Sequence, residues 1–190
     1  MNEDIERKKA SLRKELLDGV RGLGEKRLEL DQALVDRLGA LSELADARTI
    51  LAYAPLPSEP GIDSIVDTWI ESNRCVLLPR VGEVPGQMAP VVVEQSLAEL
   101  EPDDLGIRTP SGPPWEGGAI DLILVPGCGF DRGLHRLGRG GGYYDRFLAN
   151  RTDAIKVGLC FQCQLVDQLP TAPHDQAVDL IVTETRVIRR

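Results

Sequence analysis

The sequence predicts a single α/β domain: a mainly parallel sheet with helices on both faces and a helical N-terminal extension. Three observations carry this. Short apolar runs at 49–53, 75–79, 88–93, 121–125, 155–160 and 179–182 read as strands, the most continuous of them as buried on both faces. Helical patterns lie between several of them, the alternation that builds parallel sheets covered on both sides. The third is composition: 190 residues, 42% hydrophobic and 27% charged, suit one domain spanning residues 1–190 that needs no disulfide or metal staple.

Taken in order, residues 4–20 read as a polar helix, with Ile5, Leu12 and Leu16 on or near one face and Lys8, Lys9, Arg13 and Lys14 around it. Gly19, Gly22 and Gly24 break it. A second helix is predicted over 25–47, where Leu30, Leu34, Leu38, Leu41 and Leu44 form a core stripe. Residues 1–47 are thus a helical part packed on the sheet. The strand at 49–53 is ended by prolines, a helix follows at 62–72, and strands at 75–79 and 88–93 precede a short helix at 96–100. Residues 102–118, with Pro102, Pro110, Pro113, Pro114 and several glycines, read as an irregular loop. The run at 121–125 is the clearest buried strand; a helix at 143–150 and strands at 155–160 and 179–182 complete the pattern. In such sheets ligands bind beyond the carboxyl ends of the strands, which directs attention to the chain after Val125.

The net charge of −8 repels nucleic acid and anionic lipid over most of the surface, and 4% aromatics argues against a base-stacking RNA platform. No apolar run approaches the roughly 20 residues of a membrane span. Residues 1–7 are charged and lack an apolar signal core, so the cytoplasm is the expected compartment. Cys160 and Cys163 have CxxC spacing. A zinc site would need further ligands, of which His174 is the one later candidate; a redox pair and simple burial at a strand end are the other readings.

Chemistry concentrates after Val125. Four glycines fall in the five positions 138–142, so the main-chain N–H groups there can approach an anion closely, and a helix start follows. Four arginines and two aspartates between 131 and 146 give this stretch a local +2. It is neither a Walker A loop nor a dinucleotide fingerprint, and a plain strand-to-helix turn is the competing reading. Asp145, just inside the helix, is either a cap for the helix dipole or a carboxylate for Mg²⁺; Asp175 could supply a second. Lys9 and Arg13, four apart on one helical face, are either solvated or clamp a polyphosphate. His135 lies beside the basic loop within reach of a phosphate, whereas His174 is expected to pack or bond locally. No nucleophile constellation is present, which points to chemistry driven by ATP and a metal.

These residues resemble the 5-formyltetrahydrofolate cyclo-ligases, or methenyltetrahydrofolate synthetases, along nearly the whole chain. The resemblance runs through Lys9-Ala10-Ser11-Leu12-Arg13, Leu78-Pro79-Arg80 and Asp121 to Gly127. It continues through Arg136-Leu137-Gly138-Arg139-Gly140-Gly141-Gly142-Tyr143-Tyr144-Asp145-Arg146-Phe147, Pro173-His174-Asp175 and Val178 to Glu184. It implies ATP- and Mg²⁺-dependent closure of 5-formyltetrahydrofolate to 5,10-methenyltetrahydrofolate, by phosphorylation of the formyl oxygen and attack of N10, in a monomer or weak dimer. It further implies that Lys9, Arg13 and residues 136–144 bind ATP, that Ala54, Glu59 and residues 139–143 bind the folate, that Arg139 and Tyr143 are catalytic, and that Asp145 and Asp175 hold Mg²⁺. The chain departs from the family pattern at Ile62, Leu134 and Arg108-Thr109-Pro110. A non-catalytic folate- or nucleotide-binding relative, and an unrelated enzyme such as a sugar-phosphate isomerase or CoA transferase, are the competing classes. Intact Lys9, Arg13, Arg139, Asp145 and Asp175 speak against the first, and the lack of a placeable catalytic glutamate against the second.

Overall fold

The computed structural model describes residues 2–82, 84–103 and 106–189. Residues 104 and 105 of the predicted loop, and the chain ends 1 and 190, lie outside the described residues.

Helix α1 (Asn2–Arg21) runs through Gly19 and stops at Gly22, with Glu3 and Asp4 in its first turn and Arg21 in its last, the polarity that the helix dipole favours. After a 3₁₀ turn, α2 (Arg27–Gly39) follows. It ends well short of the predicted 47. The chain turns at Ala40, and Leu41 takes an extended conformation before a 3₁₀ turn at Ser42–Leu44. Leu41 and Leu44 still enter the core beside Leu34 and Leu38, so the leucine stripe was a burial signal that outran the helix. Then come β1 (Thr49–Leu51), α3 (Asp63–Glu71), β2 (Cys75–Val81), β3 (Met88–Val93), β4 (Leu122–Pro126), β5 (Gly129–Asp131), β6 (Arg136–Leu137), α4 (Tyr143–Leu148), β7 (Ile155–Leu159), β8 (Leu165–Val166), β9 (Leu180–Val182) and β10 (Val187–Arg189). The predicted helix at 96–100 is a 3₁₀ turn capped by Ser96, whose Oγ accepts the Ala98 N–H.

Among the described residues the main sheet has seven strands in the order β10-β9-β7-β4-β1-β2-β3. The five central strands are parallel, and β3 and β10 close the edges antiparallel. Alternation along each strand sorts the side chains to two faces. Ile50, Val76, Leu122 and Leu124 pack with α2 and α3, and Leu51, Leu77, Ile123 and Val125 pack with Phe130, Leu134 and Leu148 of α4. From β1 the chain winds first to β2 and later returns to β4 on the other side. The loops after these neighbouring strands therefore part and open a crevice at their carboxyl ends.

A second sheet, β6-β5-β8, lies outside the predicted elements. Strands of two or three residues carry too little periodicity to be read. α1 packs on this sheet through Leu16, against Cys128, Leu137 and Leu169. The contact is close enough that a Cβ on Gly129 would stand 2.4 Å from Leu16 Cδ1. This docking carries Lys9 and Arg13 to the crevice.

The departures from the family pattern have local explanations. Ile62 is fully buried in the α2–α3 core. Leu134 holds a left-handed backbone, φ 67°, where the resembled family commonly has glycine. An L-residue there costs about 1–2 kcal/mol, and burial of the Leu134 side chain offsets that strain. Arg108 pairs with Asp63 at the start of α3.

At the far edge, Arg189 donates to both oxygens of Glu43 at 2.9 and 3.1 Å. That bond, working against partial burial, holds the Glu43 carboxyl at about 2 instead of 4.5. The folded state has the lower value, so the stabilisation is present above about pH 4.5 and fades as the pH falls toward 2. Thermal melts of Glu43→Gln and the parent between pH 2 and 7 should therefore differ at neutral pH and converge in acid.

Candidate active site

Two adjoining cavities open in the crevice, with the 138–142 loop, Arg136 and Asp145 between them. β4 delivers Pro126 to the sheet edge, β5 and β6 pair antiparallel beyond it, and residues 138–142 bridge β6 to α4. Gly140 (φ 102°) and Gly142 (φ 66°) occupy backbone that L-residues avoid, and a Cβ on Gly141 would stand 2.7 Å from the Tyr143 ring. The loop is thus thin because its path admits little else.

On one side lies a cavity of about 400 Å³. Lys9, Arg13, Arg136, Leu137, Gly138, Gly140, Gly141, Gly142, Asp145 and Asp175 all line it, although they come from α1, β6, the loop, α4 and the segment before β9. Lys9 is buried and reaches both oxygens of Asp175, at 2.6 and 3.0 Å. Arg13 donates to the Gly138 carbonyl at 2.7 Å. Arg136 is buried, donates to Asp145 Oδ1 at 2.9 Å and lies over the Tyr144 ring at 5.5 Å. Gln176 N–H donates to the same Oδ1 at 3.2 Å, which ties the Asp175 segment to α4.

On the other side lies a cavity of about 280 Å³ with a mostly apolar wall, including Leu56, Pro79, Val81, Met88 and Ile107. Ala54, Glu59, Arg139, Tyr143 and Tyr144 line it, and Arg136, Gly138, Gly141, Gly142 and Asp145 line both cavities. Glu59 is buried; its Oε2 accepts the Leu56 N–H at 3.0 Å and its Oε1 the Arg139 Nε–H at 3.3 Å. Arg139 also donates to Ser58 Oγ at 2.6 Å.

The two sets of residues are therefore sorted more sharply than their sequence order suggests. Arg139, Tyr143 and Tyr144 line only the apolar cavity, and Gly140 lines only the cationic one. Arg146 went unassigned at the sequence level, though it stands inside the glycine motif. It lines the cationic cavity and donates to the Gly86 and Gly141 carbonyls, pinning the β2–β3 turn to the loop. Leu56, Met88 and Ile107 left no signal, because segments distant in sequence bring them together.

The histidines take minor places. His135 lines neither cavity and pairs with buried Asp131 at 3.1 Å; His174 borders the cationic cavity, largely exposed. The cysteines are free thiols; burial pushes the Cys160 thiol well above its usual range, while Cys163 is exposed. No three His, Cys, Asp or Glu among the described residues converge into a metal cage. Mg²⁺ needs less, since it often takes one or two carboxylates and completes its shell with phosphate and water. Asp145 fits that demand, because both its hydrogen bonds fall on Oδ1. Asp175 would have to loosen Lys9, which holds both of its oxygens.

No helix among the described residues is long and apolar enough to cross a membrane. The profile of the 5-formyltetrahydrofolate cyclo-ligase family matches residues 5–184. A 5-formyltetrahydrofolate cyclo-ligase of Mycolicibacterium smegmatis is 35% identical, with 96% of each chain covered. One from Mus musculus is 29% identical, with 93% of each covered. Among solved structures, the 5,10-methenyltetrahydrofolate synthetase of Aquifex aeolicus superposes with a TM-score of 0.82 at 32% identity, over 95% of this chain and 92% of that one. With matches of this extent to both sequence and structure, the chain belongs to the 5-formyltetrahydrofolate cyclo-ligase family.

Proposed function

We propose that the chain couples ATP cleavage to the cyclisation of 5-formyltetrahydrofolate, with the triphosphate in the cationic cavity and the reduced pterin in the apolar one. The observation that carries this reading is the shared wall: Gly138, Gly141, Gly142, Arg136 and Asp145 line both cavities, so the two substrates would meet across thin main chain flanked by one guanidinium and one carboxylate. The formyl oxygen attacks the γ-phosphorus and ADP leaves. N10 then adds to the activated formyl carbon, loses its proton, and inorganic phosphate departs with the former formyl oxygen. A formamide oxygen is a poor leaving group and its phosphate ester a good one, so alignment and charge neutralisation are the main tasks left to the protein.

Lys9, Arg13 and Arg136 supply the cations for the phosphates, and the loop N–H groups add donors. Asp145, with Asp175 once Lys9 turns to phosphate, would hold Mg²⁺, which when bound neutralises phosphate charge. Glu59 offers an acceptor to the donor-rich edge of the pterin, and Tyr143 and Arg139 border the reacting group from the folate side.

The test is an absorbance assay with 5-formyltetrahydrofolate, ATP and Mg²⁺. Methenyl product absorbs in the near ultraviolet, where the substrate does not, and no rise at micromolar protein would overturn the reading. Within that assay, Arg139→Ala should raise KM for the folate roughly tenfold, the loss of a charged contact, and leave KM for ATP within about twofold. A change confined to ATP would place Arg139 on the other side of the wall.

A further inference from the structure

The segment that presents Glu59 has no sheet ladder and no helix of its own. Side chains hold it instead. Arg27 donates to the Pro57 carbonyl and, at 2.5 Å, to the Glu59 carbonyl. Gln164, fully buried, donates to the Ser58 carbonyl at 3.5 Å, and Tyr53 Oη to the Pro60 carbonyl at 3.0 Å. Asp31 Oδ1 accepts the Gly61 N–H at 2.7 Å. The carbonyls of Pro57, Glu59 and Pro60 thus end on side-chain donors, where a surface loop would ordinarily use water. Gln164 lies closer to the Cys128 carbonyl, at 3.1 Å, than to that of Ser58.

Two of these residues lie one turn apart at the start of α2. Arg27 Nε stands 3.5 Å from Asp31 Oδ2, and the Arg27 guanidinium lies 5.5 Å from the centre of the buried Phe161 ring. The fork of Arg27 therefore has a fixed origin and spans the backbone on both sides of Ser58. A Cβ on Gly61 would stand 3.2 Å from Asp31 Oδ2, so the loop sits hard against the pair. Neither Arg27 nor Asp31 lines either cavity.

We infer that Arg27 and Asp31 are positioning residues for folate binding, which hold the 57–61 segment so that the Glu59 carboxylate meets the pterin at a fixed place. The inference rests on the folate reading of the apolar cavity. A guanidinium can reach two carbonyls at once and an ammonium offers no such fork, so lysine is a partial substitute at 27. Asparagine keeps the acceptor that Asp31 presents to Gly61, and alanine does not.

Steady-state kinetics and thermal melts on Arg27→Met, Arg27→Lys, Asp31→Ala and Asp31→Asn test this. Arg27→Met and Asp31→Ala should raise KM for 5-formyltetrahydrofolate roughly tenfold, with kcat and KM for ATP within about twofold. Asp31→Asn should stay close to the parent, and Arg27→Lys should fall between. A folded Arg27→Met with parental folate KM, or with both KM values raised alike, overturns the inference. Should Arg27→Met not fold, equal folate KM values for Asp31→Ala and Asp31→Asn overturn it in its place. A parent protein that turns over keeps the cyclo-ligase reading intact through any of these failures; a parent without turnover removes that reading and this inference together.

Discussion

Replacing Asp145 by asparagine should lower kcat by roughly 100- to 1,000-fold, the size of effect seen when one electrostatic contributor to a transition state is removed. Asparagine is the informative choice. Its amide oxygen can still accept from Arg136 Nη2 and from the Gln176 N–H, the two bonds that now reach Oδ1. The hydrogen bonds that tie α4 to the sheet are thereby kept, and the melting temperature should fall less than in Asp145→Ala, although Arg136 loses its counter-charge in both. What is lost is the negative charge beside the cationic cavity. Both asparagine and alanine leave the buried Arg136 without its carboxylate, but alanine also removes the acceptor, mixing folding with catalysis further. The checks are turnover against Mg²⁺ concentration and a thermal melt on the same sample. Parental turnover in Asp145→Asn would overturn its proposed role in holding Mg²⁺.

Lys9→Met should cost both stability and activity. The Lys9 and Asp175 side chains are 6% and 11% exposed, so this is a buried pair and not a surface contact. Burial alone would raise the Asp175 carboxyl, but the bonds from Lys9 and the Ala172 N–H outweigh it and hold the carboxyl below its usual range. Removing the cation strands that carboxylate at a cost of about 3 kcal/mol or more. For a chain of this size the melting temperature should fall by roughly 6–12 °C. Lys9→Met with Asp175→Asn should recover most of the stability, since no charge is then left unpaired, yet remain poorly active. Recovery of turnover in the double variant would show that Lys9 serves the fold alone.

The sequence and the structure agree where the physics is local. The apolar run at 121–125 appears as β4 shifted by one residue, and the glycines of 138–142 form the thin loop their composition predicts. Agreement ends where burial is achieved without regular structure. Leu41 and Leu44 belong to a turn, and β5, β6 and β8 are too short to leave a period. The assignment of Arg139 and Tyr143 to both ligands illustrates a further limit. Neighbours in a tight turn point to opposite sides, so a run of residues names a wall without saying which room each faces. Arg146 was readable from its motif, while Leu56, Met88 and Ile107 were not, since no local rule says which distant segments the fold will gather. Arg27 and Asp31 carry no signal at all in the chain: their role exists only once α2 is laid beside the loop after β1.

The partition at Gly141 and Gly142 has a thermodynamic corollary. Any ordering of that peptide stretch by one occupant is ordering the other need not supply, and free-energy linkage is reciprocal. Nucleotide should therefore tighten the hold on the reduced pterin by the same factor that the pterin tightens the hold on nucleotide. With the proposed occupants, the fold would then favour the ternary assembly over either half-filled state.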